Sequence, residues 1–136
     1  MHNAPPSIDT LDVDFFKQVN DRHGHPAGDA VLREIAPRLR HGVRDGDTVA
    51  RVGGEEFMVL LPGVSEPTAL ELAERLRAAI AHHPVQLPDT ALPVTISIGV
   101  AVTDAAEGAD AAIARADKAL YAAKHNGRNR VVLAPP

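Results

Sequence analysis

Thr48-Val49-Ala50-Arg51-Val52-Gly53-Gly54-Glu55-Glu56-Phe57-Met58-Val59-Leu60-Leu61 contains two β-rich runs, Thr48–Val52 and Phe57–Leu61, separated by four residues that begin with two glycines. That spacing predicts a β-hairpin, with the tip Gly53-Gly54-Glu55-Glu56 at its turn. Working outward, Ile8–Val13 reads as a short strand opening into a loop, and Phe15–His25 as a short helical turn. From Asp29, Val31, Leu32, Ile35, Ala36 and Leu39 mark one face of a helix ending at Gly42, with Pro37 expected to kink it at a cost of ~3 kcal/mol. Pro67 opens a second long helix, with Leu72, Ala73, Leu76, Ala79 and Ile80 on one face. Val94–Val102 is β-branched and apolar enough to be a strand buried on both faces. Asp110–His125 is an alanine-rich helix closed by Asn126-Gly127, and Val131–Leu133 is a last strand. The order predicts an α/β (α+β) sandwich of two layers, with one mixed sheet flanked by helices.

The 136 residues suit one domain with a real core, and the absence of cysteine excludes disulfides and thiolate metal sites. Eighteen acidic residues against fourteen Lys and Arg give a net charge of −4, which provides no broad footprint for a nucleic acid polymer. One tyrosine and three phenylalanines make no stacking row for single strands. The longest apolar stretch, Leu92–Val102, is far below the ~18 residues of a membrane span, and the first ten residues lack the apolar segment of a signal peptide. A cytoplasmic domain without membrane contact is expected.

Chemistry concentrates at two acidic spots. The hairpin tip combines glycines, which let a backbone approach a ligand, with two carboxylates; read alone it also fits a solvated turn. Asp12 and Asp14 end the first strand, where they suit either ordinary strand-end caps or a hard divalent cation held with substrate phosphates. Lys17, Lys124 and Arg128 could hold those phosphates, although a helix C-terminus favours cations in any case. His23 and His25 are poor ligands for a hard cation.

Five stretches, taken together, resemble the GGDEF family of diguanylate cyclases. They are Leu11-Asp12-Val13-Asp14-Phe15-Phe16-Lys17; Asn20-Asp21 with Gly24-His25 and Gly28-Asp29; Arg51 to Phe57; Ser97-Ile98-Gly99-Val100-Ala101; and Ala116 to Tyr121 through Ala123-Lys124 to Gly127-Arg128-Asn129. The resemblance runs from about residue 11 to 133, with Glu55 at the position that is Asp in the family's name. It implies a palm-like nucleotidyl-cyclase fold and the joining of two GTP molecules into cyclic di-GMP with release of pyrophosphate. It further implies that Asp12, the Val13 carbonyl and Glu55 hold magnesium, two ions per site, with manganese an alternative. Glu55 would help deprotonate the attacking 3′-hydroxyl, with Glu56 beside it. The main chain at Phe15, Phe16 and Lys17, with the Lys124 and Arg128 side chains, would take the phosphates. Asn20 and Asp29 would read guanine, and Gly53 and Gly54 would lie against the nucleotide. Arg44 and Asp47 resemble the family's inhibitory product site, which Arg75 would complete.

The resemblance also implies a transient two-fold homodimer, since each chain carries one set of GTP ligands. The alternative it leaves open is a weakly active domain serving mainly as a cyclic di-GMP receptor. The family's D-x-L-T and N-R motifs have no match among the eleven residues before Asp12. The domain is therefore expected at 8–134 without the usual lead-in helix, with 1–7 and 135–136 as disordered ends.

Overall fold

A computed structural model describes residues 6–104 and 106–136. Its central sheet has the order β2-β3-β1-β6-β7: β2 (Thr48–Gly53), β3 (Glu56–Leu61), β1 (Ser7–Val13), β6 (Ile96–Val102) and β7 (Val131–Leu133). β1 is antiparallel to both β3 and β6, while β6 and β7 are parallel, so the sheet is mixed as expected. The helices are α1 (Phe16–His23), α2 (His25–Gly42), α3 (Glu66–Ala81) and α4 (Ala109–His125). A separate pair, β4 (Val85–Gln86) with β5 (Ala91–Leu92), was not foreseen.

Strand alternation distributes β1 and β6 between two cores. Leu11, Val13, Ile96, Ile98 and Val100 pack with Leu32, Ile35 and Leu39 of α2 and with Leu72, Leu76 and Ile80 of α3. Ala101 turns the other way, onto Ala116 and Ala119 of α4. Helices therefore cover both faces, which corrects the two-layer reading to three layers. The close fit of α4 depends on Gly99, where an added Cβ would strike the Ala116 carbonyl oxygen and the Leu120 nitrogen.

Several boundaries move. α2 begins at His25 because Pro26 sits in its first turn, where a missing N–H costs nothing. The helix also continues past Pro37, which lies on its exposed face where water can reach the freed carbonyl. Ser7 belongs to β1, buried with its Oγ donating to the Ala101 carbonyl, and the Pro135 carbonyl accepts from Arg115. Ser7 thus extends the first strand one residue beyond the expected start at 8; residues 1–5, part of the N-terminal end expected to be disordered, lie outside the described residues. Among the described residues no helix is long and apolar enough to cross a membrane.

Candidate functional site

Asp12 stands at the end of the central strand, opposite Glu56 of β3 and Ser97 of β6. The hairpin tip folds back over this end, with the Val13 N–H donating to the Glu55 carbonyl at 3.2 Å. Alternation turns Asp12 towards α4, where Lys124 Nζ pairs with its Oδ2 at 2.8 Å. The other oxygen, Oδ1, is buried without a partner. Burial raises the Asp12 carboxyl above its ordinary pKa; the Lys124 ammonium opposes this, and the charges of Glu55 and Asp14 add to it. Glu56 is raised too, first by desolvation and then by Asp12, Asp117 and Glu55. Carboxylates crowd this corner, and one lysine partly offsets them.

The turn itself is shaped by a register shift between Arg51 and Gly53 and by the Arg51 Nε donating to the Gly54 carbonyl at 2.9 Å. Gly54 has φ +23, a value side-chain-bearing residues rarely adopt. Gly53 has open space where a Cβ would stand, so contacts within the chain do not demand a glycine there.

Of the phosphate candidates, Lys124 touches Asp12 and Arg128 meets Phe15. Phe15 (φ 58), Arg128 (φ 63) and Asn129 (φ 47) are the non-glycine residues with positive φ among the described residues. Such geometry costs about 1–3 kcal/mol per residue and persists only where surroundings enforce it. The Arg128 guanidinium lies over the Phe15 ring, 4.5 Å from its centroid. Lys17 is exposed on α1, and Phe16 is half-buried against the Gly28 turn.

Asp14 departs from the expected pairing with Asp12 around a cation. It is 3% exposed, and both oxygens are already engaged. Thr95 Oγ1 and the Asn129 N–H donate to Oδ2 at 2.7 and 2.9 Å, and Ser97 Oγ donates to Oδ1 at 2.7 Å. Sequence reasoning missed Thr95, Ser97 and Asn129 as partners; two hydroxyl residues interrupting an apolar strand were the available signal.

Asn20 of α1 packs against Gly28 of α2, the neighbour of Asp29. Gly28 makes room, since a Cβ there would strike Asn20 Oδ1. That oxygen is buried and unpartnered. Asp29 opens onto a cleft of about 400 Å³ whose lining includes Arg33, Arg51 and Phe57.

Arg44 and Asp47 lie apart from this corner, in the loop between α2 and β2. Arg44 Nε and Nη2 donate to the two Asp47 oxygens at 3.0 and 2.9 Å, and Nη2 also reaches the Pro62 carbonyl at 3.1 Å. The Asp47 side chain is only 1% exposed. The pair is therefore closed on itself, with Asp47 covered and Arg44 still exposed. Arg75 Nε caps the α2 terminus through the Gly42 carbonyl at 3.0 Å, two residues from Arg44.

Among the described residues no three His, Asp or Glu side chains converge as a metal cage. The Asp12–Glu55 corner fits a different arrangement, in which one or two carboxylates share a hard cation with substrate oxygens. The unpartnered Asp12 oxygen fits that arrangement.

Residues 2–130 match the family described as "Diguanylate cyclase, GGDEF domain". Diguanylate cyclase A of Treponema denticola is 47% identical over 128 residues, covering 93% of this chain and 34% of that protein. The active GGEEF domain of a diguanylate cyclase from Vibrio cholerae superposes with a TM-score of 0.87 at 36% identity, covering 98% of this chain and 85% of that one. The GGDEF domain of DgcB from Caulobacter crescentus, in complex with c-di-GMP, gives 0.90 at 32% identity, with 96% and 78% covered. The chain spans about a third or less of the curated relatives it matches first. With the acidic strand end, the glycine tip and the sheet order all on one fold, the chain belongs to the GGDEF domain family of diguanylate cyclases.

Proposed function

We propose that this chain is a catalytic diguanylate cyclase domain that joins two GTP molecules into cyclic di-GMP with the help of magnesium. The observation that carries the reading is the buried, unpartnered Asp12 Oδ1 at a strand end that faces the Glu55 tip. Asp12, the Val13 carbonyl and Glu55 would hold the ions. Bound there, magnesium supplies charge neutralisation on the triphosphate and acidifies the attacking hydroxyl. Glu55 accepts the proton of the 3′-hydroxyl, and Glu56, whose carboxyl is raised, keeps further negative charge close. The main chain of Phe15, Phe16 and Lys17, with Lys124 and Arg128, grips the phosphates. Asn20 Oδ1 and the Asp29 carboxylate accept from the N1–H and amino group of guanine, an edge that adenine lacks. Gly53, with no protein atom to fill its Cβ space, leaves room for the nucleotide.

Each chain offers one such set, so two copies meet about a two-fold axis, each 3′-hydroxyl aimed at the partner's α-phosphate. Arg44, Asp47 and Arg75 form the product-inhibition site. The c-di-GMP-bound relative supports this class of ligand. Binding there requires the Arg44 fork to trade Asp47 for guanine O6 and N7.

Incubation with GTP and magnesium, followed by mass identification of products, tests the reading. Cyclic di-GMP and pyrophosphate are expected from the parent and neither from Glu55→Gln; a variant keeping most of the activity refutes the assignment. Arg44→Ala should weaken cyclic di-GMP binding and leave GTP affinity unchanged.

A further inference from the structure

The three strained residues share one neighbour. Asp14 precedes Phe15 in the chain and accepts from the Asn129 N–H, so a single carboxylate joins segments 115 residues apart. Its own N–H donates to the Thr95 carbonyl at 2.9 Å, fixing the turn onto the strand that leads into β6. Three donors and no cation satisfy its charge. Both oxygens of this carboxylate are thus engaged within the chain, in contrast to Asp12, whose Oδ1 has no partner.

The far side of the clamp is tied as well. Asn129 Oδ1 accepts from Arg77 Nη1 at 2.7 Å, and Arg77 is itself held by Glu74 on α3. Between these anchors, the Arg128 N–H donates to the Ala123 carbonyl at 2.9 Å, and its guanidinium rests on the Phe15 ring. Among the described residues Arg128 forms no ion pair. An arginine oriented by backbone and ring contacts, with its charge uncompensated, is prepared for an anion.

We propose that Asp14 is a positioning residue for the phosphate grip. It ties the 128–129 turn to the end of β1, so that the Arg128 guanidinium is set against the triphosphate that the main chain of 15–17 holds. This rests on the reading of those groups as phosphate ligands, and gives Asp14 no part in holding metal.

Binding of magnesium tripolyphosphate and of Mn²⁺ alone, measured by calorimetry on the 136-residue chain, tests it. Asp14→Asn keeps the shape but turns an NH₂ towards three donors, so tripolyphosphate affinity should fall about tenfold. Arg128→Ala should cost about the same, and the double variant no more than about twofold beyond Arg128→Ala, because Asp14 acts through that arginine. Mn²⁺ affinity should fall clearly less than tripolyphosphate affinity, by no more than the loss of one nearby negative charge entails. Ser97→Ala, which removes one donor and leaves the carboxylate, should produce a smaller loss that vanishes in the Arg128→Ala background. Losses that multiply in the double variant overturn the proposal, as does Mn²⁺ affinity falling in step with tripolyphosphate. Tripolyphosphate affinity that is absent in the parent, or unmoved by Arg128→Ala alone, overturns the phosphate reading itself and this clamp with it.

Discussion

Asp9 lies in the middle strand of five, 0% exposed, with neither carboxyl oxygen hydrogen-bonded. Burial, and secondarily the Asp47 charge, push its pKa from 3.8 up to about 8. The folded chain therefore keeps a proton that the unfolded chain releases near pH 4. Because the folded-state pKa is the higher one, this group's contribution is most favourable below about pH 4 and is lost as pH rises to about 8, at roughly 1.4 kcal/mol per unit. At pH 7 the loss is on the order of 4 kcal/mol, a large share of a small domain's stability. Asp9→Val removes the titrating group and places a β-branched side chain beside Leu11 and Val59 in the core. Urea unfolding of parent and variant should give a stability difference favouring the variant, widening by about 3 kcal/mol between pH 5 and 7. Groups shared by the two proteins cancel in the difference. A difference that stays constant with pH would refute the reasoning.

Lys124→Met should destabilise the metal-free protein by ~1–3 kcal/mol, since it strands Asp12 beside Glu55, Glu56 and Asp14. Thermal melts should then show a larger stabilisation by added magnesium than in the parent, because the ammonium no longer competes for Asp12. Gly28→Ala forces Asn20 Oδ1 to move, so the preference for GTP over ATP, read by competition binding, should shrink towards parity. Gly99→Ala drives a methyl into the α4 backbone and should cost ~3 kcal/mol in urea unfolding; because α4 carries Lys124, GTP affinity should fall with it.

The elements legible in the sequence are those whose signal is local. The glycine hairpin, the apolar faces of α2 and α3 and the run of β6 each carry their evidence within a dozen residues. The β4–β5 pair was not legible, because strands of two residues between Pro84, Pro88 and Pro93 have no period to read. The layer count failed for a related reason. An alanine face such as that of α4 advertises burial but not which side of the sheet buries it, and the answer lay in Gly99.

The acidic residues of the first strand bring out the deeper limit. Asp9, Asp12 and Asp14 lie within six positions of one another, yet the fold assigns them three different electrostatic solutions. Alternation turns Asp9 to the α2–α3 face, where no donor meets it and protonation is the remaining solution. It turns Asp12 to the α4 face, where Lys124 offsets one oxygen and leaves the other unmet. Asp14, one step past the strand, finds donors 81, 83 and 115 residues away. Each donor is supplied by tertiary structure, so residue type and spacing could mark the strand end as chemically loaded but could not divide the roles. The division separates what each can do: a carboxylate with both oxygens engaged serves to hold shape, one with an open oxygen has room for a ligand, and one with no partner weakens the fold as pH rises.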